Sequence, residues 1–234
     1  MGKSYKLSEN VSISRGNSKL GNDTLIFNMG SGTNCPSAKL GMCKLGKACY
    51  ALKAERLYPQ CLPSRDRQEA YWLGNSIIRI IEDFGRLLTT KKTRVDGKLV
   101  KLESAIKWLR FNEAGDFHSQ ECVEKLDQLS VYLELVHGIR TYGYSARKDL
   151  DFSDVNFAVK SSGHFNGNNG RTIAKPKAEL LADSMIKAGY EQGHPVAVSI
   201  QEDNYKMYTI CPMDCKKCDA CKTADGVNIV FPLH

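Results

Sequence analysis

The chain has 234 residues, a formal net charge of +7 at pH 7 and nine cysteines, at positions 35, 43, 49, 61, 122, 211, 215, 218 and 221. A chain of this length buries a core without disulfide staples, so a shortage of core does not explain the cysteines. No stretch approaches a membrane span, and the opening MGKSYKLSEN has no apolar run that could act as a secretion signal. The expected setting is a reducing cytosol without membrane partners, where clustered cysteines bind metal or do redox chemistry more often than they pair.

No internal repeat, low-complexity run or linker divides the sequence, so one domain over residues 1–234 is expected, with a cysteine-rich segment over 205–234 packed on it. Residues 24–29 (TLIFNM) read as a short strand leading into Gly30, Gly32 and Cys35. Residues 64–88 read as one helix, with Ser64 as N-cap and Ala70, Leu73, Ile77, Ile80, Ile81 and Phe84 on its apolar face. Lys91, Lys92, Arg94, Lys98 and Lys101 then surround a polar turn. No aromatic residues interleave them, so a solvated loop is favoured over a nucleic-acid contact.

Residues 105–112 alternate like a strand, and 120–137 form a second helix that stops at Gly138. Residues 140–145 and 155–161 read as strands, 176–189 as a helix with proline in its first turn, and 196–200 and 227–231 as short strands. The glycine-rich stretch 163–170 lacks the Gly-Lys-Ser/Thr of a phosphate loop and reads as a turn. Strands separated by amphipathic helices predict an α/β fold with a mainly parallel sheet, open or closed as a partial or complete barrel. Chemistry in such folds gathers at the carboxyl ends of the strands. The residues there include Asn112, Glu113, Asp116 and His118, then Tyr144, Ser145 and Arg147, then Lys160, Ser161, Ser162 and His164.

The strongest chemical signal is Cys211-Pro-Met-Asp-Cys215-Lys-Lys-Cys218-Asp-Ala-Cys221, four thiols within eleven residues. A structural zinc usually takes its ligands from two knuckles well apart in sequence. A cubane cluster presents iron at several corners, so closely spaced cysteines can wrap one side of it, as in bacterial ferredoxins. Iron–sulfur ligation by Cys211, Cys215, Cys218 and Cys221 is therefore favoured over zinc. Cys35, Cys43 and Cys49, with Cys61 as a further ligand, form a looser group that would bind a second cluster or cap the first. Cys122 stands on a helix without thiol neighbours and reads as a buried small hydrophobe.

Two resemblances follow from these motifs. Three cysteines on a loop after the first strand, ending in Cys49-Tyr50, resemble in part the cluster loop of radical SAM enzymes. The gaps here are seven and five residues where that family has three and two, and its Gly-Gly-Glu stretch after the second strand is missing. More of the chain resembles the bacteriophage "gene product 88" domain family. The residues concerned are the Asn34-Cys35-Pro36 loop, Cys49-Tyr50-Ala51, Leu109-Arg110-Phe111-Asn112 with Gly115-Asp116-Phe117, Tyr144-Ser145, Cys211-Pro212, and the ending from Ile229 to His234. That resemblance implies a viral protein made in a bacterial cytosol and delivers no activity.

Taken together, a radical-SAM-like α/β iron–sulfur protein is expected, with one or two four-iron clusters and S-adenosylmethionine as a further cofactor. It would act as a redox or radical enzyme on a metabolite or nucleotide, with Asn112, Asp116 and Tyr144 as candidate catalytic residues. Asp116 reads equally as a helix cap or turn residue. The rivals are a zinc- or cluster-braced nucleic-acid-binding module and a small electron carrier.

Overall fold

The computed structural model describes residues 3–17, 19–43, 45–163, 168–201, 206–216, 218–223 and 226–233. In chain order, β1 (Lys3–Lys6), β2 (Ser12–Arg15) and β3 (Thr24–Phe27) lead into α1 (Pro36–Lys39), α2 (Tyr50–Leu57), α3 (Cys61–Gly74) and α4 (Ile77–Thr90). Next come β4 (Lys92–Val95), β5 (Lys98–Lys101), β6 (Trp108–Phe111), α5 (Gln120–His137), β7 (Arg140–Ser145) and β8 (Ala158–Ser162). The chain closes with β9 (Arg171–Pro176), α6 (Lys177–Leu180), α7 (Ser184–Glu191), β10 (Val196–Ile200), β11 (Lys206–Ile210) and β12 (Ile229–Leu233).

Among the described residues ten strands form one sheet in the order β1-β2-β3-β6-β7-β8-β9-β12-β11-β10, and β4 pairs only with β5. From β3 to β11 every neighbouring pair is parallel, while β1, β2 and β10 are antiparallel additions at the ends. The mainly parallel α/β arrangement expected from the sequence is present. The sheet is open and does not close into a barrel, because its outer strands β1 and β10 do not pair with each other.

Side chains alternate between the two faces of a strand. Leu25, Phe27, Leu109, Phe111 and Val159 point to one face and pack with Trp72 of α3, Phe84 of α4 and Leu126 of α5 in one core. Aromatic contacts tie it together, with ring centroids 5.8 Å apart for Phe27–Trp72 and 5.1 Å for Trp72–Phe111. Each such side chain contributes about 1.5–3 kcal/mol of burial. By strand register the same face continues through Ile173, Val230 and Ile210, covered by Leu180 of α6 and Ile186 of α7.

The opposite face carries Trp108, Arg110, Tyr142, Tyr144, Lys160 and Phe231. Tyr144 on β7 and Phe231 on β12 are separated by β8 and β9, yet their ring centroids are 6.4 Å apart. In a flat sheet three strand spacings would hold them about 14 Å apart. This face is therefore concave, and the segment after β11 lies on it, with Lys222 Nζ 5.2 Å from the Trp108 ring.

Several sequence expectations need correction. The helix over 64–88 is two helices, since Asn75 is extended and Ser76 starts α4 by accepting the Arg79 N–H at 3.3 Å. The helix over 176–189 is likewise divided, with Asp183 capping α7 through Met185 and Ile186 N–H. The strand expected over 24–29 stops at Phe27, because the next backbone N–H, that of Asn28, bonds to the Gln68 side chain at 2.9 Å. β9 was not expected at all. The basic loop is a hairpin turning at Asp96 and Gly97, both with positive φ, as a two-residue Asp-Gly turn requires. Among the described residues no helix is long and apolar enough to cross a membrane.

Candidate functional site

Cys211 ends the run of β11 and the chain then doubles back over the concave face. There Cys211, Cys215, Cys218 and Cys221 line one pocket, whose floor is Arg110 of β6 with Tyr142 and Tyr144 of β7. Leu20, from the turn before β3, and Lys222 close its sides. The free volume is ≈ 20 Å³, enough for about one water. Among the described residues no group of three or more His, Cys, Asp or Glu is arranged as a ready ion site. The thiols thus share a pocket without being drawn around one point.

Burial dominates the electrostatics of Cys211, Cys215 and Cys221. It pushes the Cys211 thiol up to about 12, and it raises Cys215 and Cys221 as well. Cations act in the opposite sense, Arg110 and Lys222 on Cys215 and Lys160 on Cys221. Lys222 is held in place by the Cys215 carbonyl at 3.2 Å and by Asp219 at 2.7 Å. Lys160, wholly buried, donates to the carbonyls of Asn169 and Val227, the latter at 2.7 Å. The Arg110 guanidinium lies 5.3 Å from the Tyr144 ring centroid. Among the described residues two buried donors here have no partner, Arg110 Nε and the Tyr142 hydroxyl.

None of the N-terminal cysteines lines this pocket. Cys35 precedes α1, Cys49 precedes α2 and Cys61 opens α3, all in the segment between β3 and α4. Burial pushes the Cys35 thiol up to about 11, and the neighbouring Asp116 and Cys43 add to it. The charge of Arg110 acts both on Cys215 and on Tyr50, the neighbour of Cys49. Cys122 is buried in the helical core, as expected of a thiol without thiol neighbours.

The strand-end candidates have structural tasks that their sequence did not reveal. The Asp116 carboxylate accepts Ser37 Oγ–H from α1, Phe117 N–H at 2.8 Å, and Ser145 Oγ–H and Ala146 N–H at 2.8 Å from the end of β7. It thereby clasps α1 and the end of β7 to its own loop, while burial raises its pKa against these donors. Asn112 has a left-handed backbone (φ 56°), accepts the Met29 N–H at 3.0 Å, and leaves its buried Nδ2 without a partner. Tyr144 does reach the cysteine pocket. His118 Nε2 contacts the Met29 carbonyl at 2.9 Å and Glu69 at 3.2 Å. His164 lies outside the described residues.

Arg110, Tyr142 and Lys222 were not among the site candidates read from the sequence. The available signal was a charged residue at position 110, in the middle of a strand (WLRF) otherwise suited to burial on both faces. No curated protein and no solved structure matches the chain. Residues 9–153 match the family model described as "Gene product 88", a span that includes the N-terminal cysteines and the Asp116 clasp and ends before β8 and the C-terminal cysteines. That span is more than half of the sequence, and the chain belongs to the gene product 88 family of bacteriophage proteins.

Proposed function

We propose that the chain is an iron–sulfur protein whose cluster is ligated by Cys211, Cys215, Cys218 and Cys221 on the concave face of the sheet. One observation carries this: four thiols close in sequence line a single pocket together with Arg110 and Lys222, and the charge of Lys160 acts on Cys221 from β8. Thiolates taken out of water need compensating positive charge, and these three cations supply it. The donor set fits a four-iron cluster in identity and number, and ligation would open the pocket beyond its present volume. The bound cluster would supply one-electron chemistry, its potential governed by charge, hydrogen bonds and exposure.

The finer reading is a redox or radical enzyme of the host cytosol, acting on a metabolite or nucleotide. It is supported by the curved, largely parallel sheet with helices on its outer face and the cysteine-rich segment on its inner face. Cys35, Cys43 and Cys49 would form the second cluster site, where S-adenosylmethionine would bind at the fourth iron if Cys61, the spare fourth ligand, does not occupy it.

A zinc-braced nucleic-acid-binding module is the second reading. The free volume of ≈ 20 Å³ favours it, being suited to one ion, as does the basic β4–β5 hairpin outside the main sheet. Anaerobic purification followed by iron, sulfide and zinc analysis separates the two. Iron with acid-labile sulfide supports the cluster, and stoichiometric zinc alone supports the module.

A further inference from the structure

We infer that Arg110 and Tyr142 set the reduction potential of the cluster, by donating hydrogen bonds from Nε–H and the phenol hydroxyl to its sulfur atoms. This rests on the cysteine pocket being a cluster site. The two residues are cross-strand partners on β6 and β7, facing the same pocket. Tyr142 is only 2% exposed, and both its hydroxyl and Arg110 Nε are buried without an acceptor among the described residues. Buried donors without acceptors are rare because each forfeits its hydration. Two such donors side by side point to a missing acceptor between them.

The remaining lining identifies that acceptor. Four cysteine residues face the two donors, and thiolate or sulfide sulfur takes N–H and O–H hydrogen bonds. Both donors are held ready. Trp108 packs edge-on against the Tyr142 ring at 6.1 Å, and the Arg110 guanidinium lies over Tyr144. Reduction adds one electron to the cluster and makes its sulfurs more negative, while neither donor gives up its proton. Hydrogen bonds to the sulfurs therefore favour the reduced form and raise the potential. The positive charge of Arg110 acts in the same sense.

The test uses the full chain purified without oxygen, in wild-type form and as Tyr142→Phe, Arg110→Lys and Arg110→Met. Iron and sulfide are quantified first, and the reduction potential is then measured by dithionite titration monitored by electron paramagnetic resonance. Tyr142→Phe keeps the ring against Trp108 and should retain iron, with its potential shifted to a more negative value. Arg110→Lys, which keeps the charge and loses the Nε donor, should shift it less than Arg110→Met. Should the arginine variants not fold, Tyr142→Phe decides alone. Full iron content with an unchanged potential in Tyr142→Phe overturns this inference and leaves the cluster standing. Wild-type protein without iron or sulfide overturns the cluster site itself, and this inference with it.

Discussion

Glu55 of α2 and Arg65 of α3 meet at 2.7 Å, and the same carboxylate accepts the N–H of Gly32 at 2.7 Å and of Thr33 at 3.0 Å. One ion pair thus fastens two helices to the loop that carries the N-terminal cysteines. Burial opposes ionisation of Glu55, yet Gly32, Arg65 and Thr33 together hold its carboxyl below the ordinary value of 4.5. A depressed folded pKa gives stability that is present above 4.5 and lost as pH falls through the lower folded value. Glu55→Gln should cost about 3 kcal/mol, because Arg65 is left buried without its partner. Urea unfolding should show this loss at neutral pH, and the variant should lose less stability on acidification than the wild type. Equal midpoints for both proteins at neutral pH would contradict it.

Gly115 has φ 75°, and a Cβ built on it would stand 2.6 Å from the Gly30 carbonyl carbon. Left-handed backbone and backbone contact both exclude a side chain there. Gly115→Ala should destabilise the protein by at least about 2 kcal/mol. Gly74→Ala, at the end of α3 with nothing within 4 Å, is the control that urea unfolding should find near wild type.

The β4–β5 hairpin places Lys92 directly opposite Lys101, and Lys101 pairs with Glu103 at 3.7 Å. Exposed pairs of this kind contribute little. Replacing Lys91, Lys92 and Arg94 by Ala should leave iron content and stability near wild type. If it abolished a nucleic-acid affinity that fell steeply with salt, the binding-module reading would take the lead.

Local pattern announced much of the fold. β3, β7, β10 and α5 lie close to where periodicity and caps predicted them. What local pattern could not carry was long-range geometry. The division of the helix depends on two extended residues, Asn75 and Ser76, and β9 gains its place by pairing with β12 and β8. The role of Asp116 depends on donors 79 and 29 positions away. The cysteine spacing identified the C-terminal group, but not that Arg110 and Tyr142 would underlie it, since only the sheet register joins them. The curvature that brings Tyr144 to Phe231 is equally non-local.

Cys122 is 3% exposed in the helical core. Cys122→Ser should leave metal content unchanged while costing about 1–3 kcal/mol, since serine would bury a hydroxyl among apolar side chains. Metal analysis and urea unfolding of the same preparation read both effects, and loss of iron from this variant would contradict the ligand assignment.

The most direct test of the cluster is iron, acid-labile sulfide and zinc analysis of anaerobically purified wild-type protein beside Cys215→Ser and Cys218→Ser. Serine is close to cysteine in shape and a poor cluster ligand, so packing is spared while ligation is not. The wild type should be brown, with iron and sulfide in near-equal amounts, and each variant should lose most of both. Replacing Cys35, Cys43 and Cys49 together should remove a second portion of the iron if the N-terminal loop holds its own cluster. Stoichiometric zinc in a colourless wild-type protein, with neither iron nor sulfide, would contradict the account.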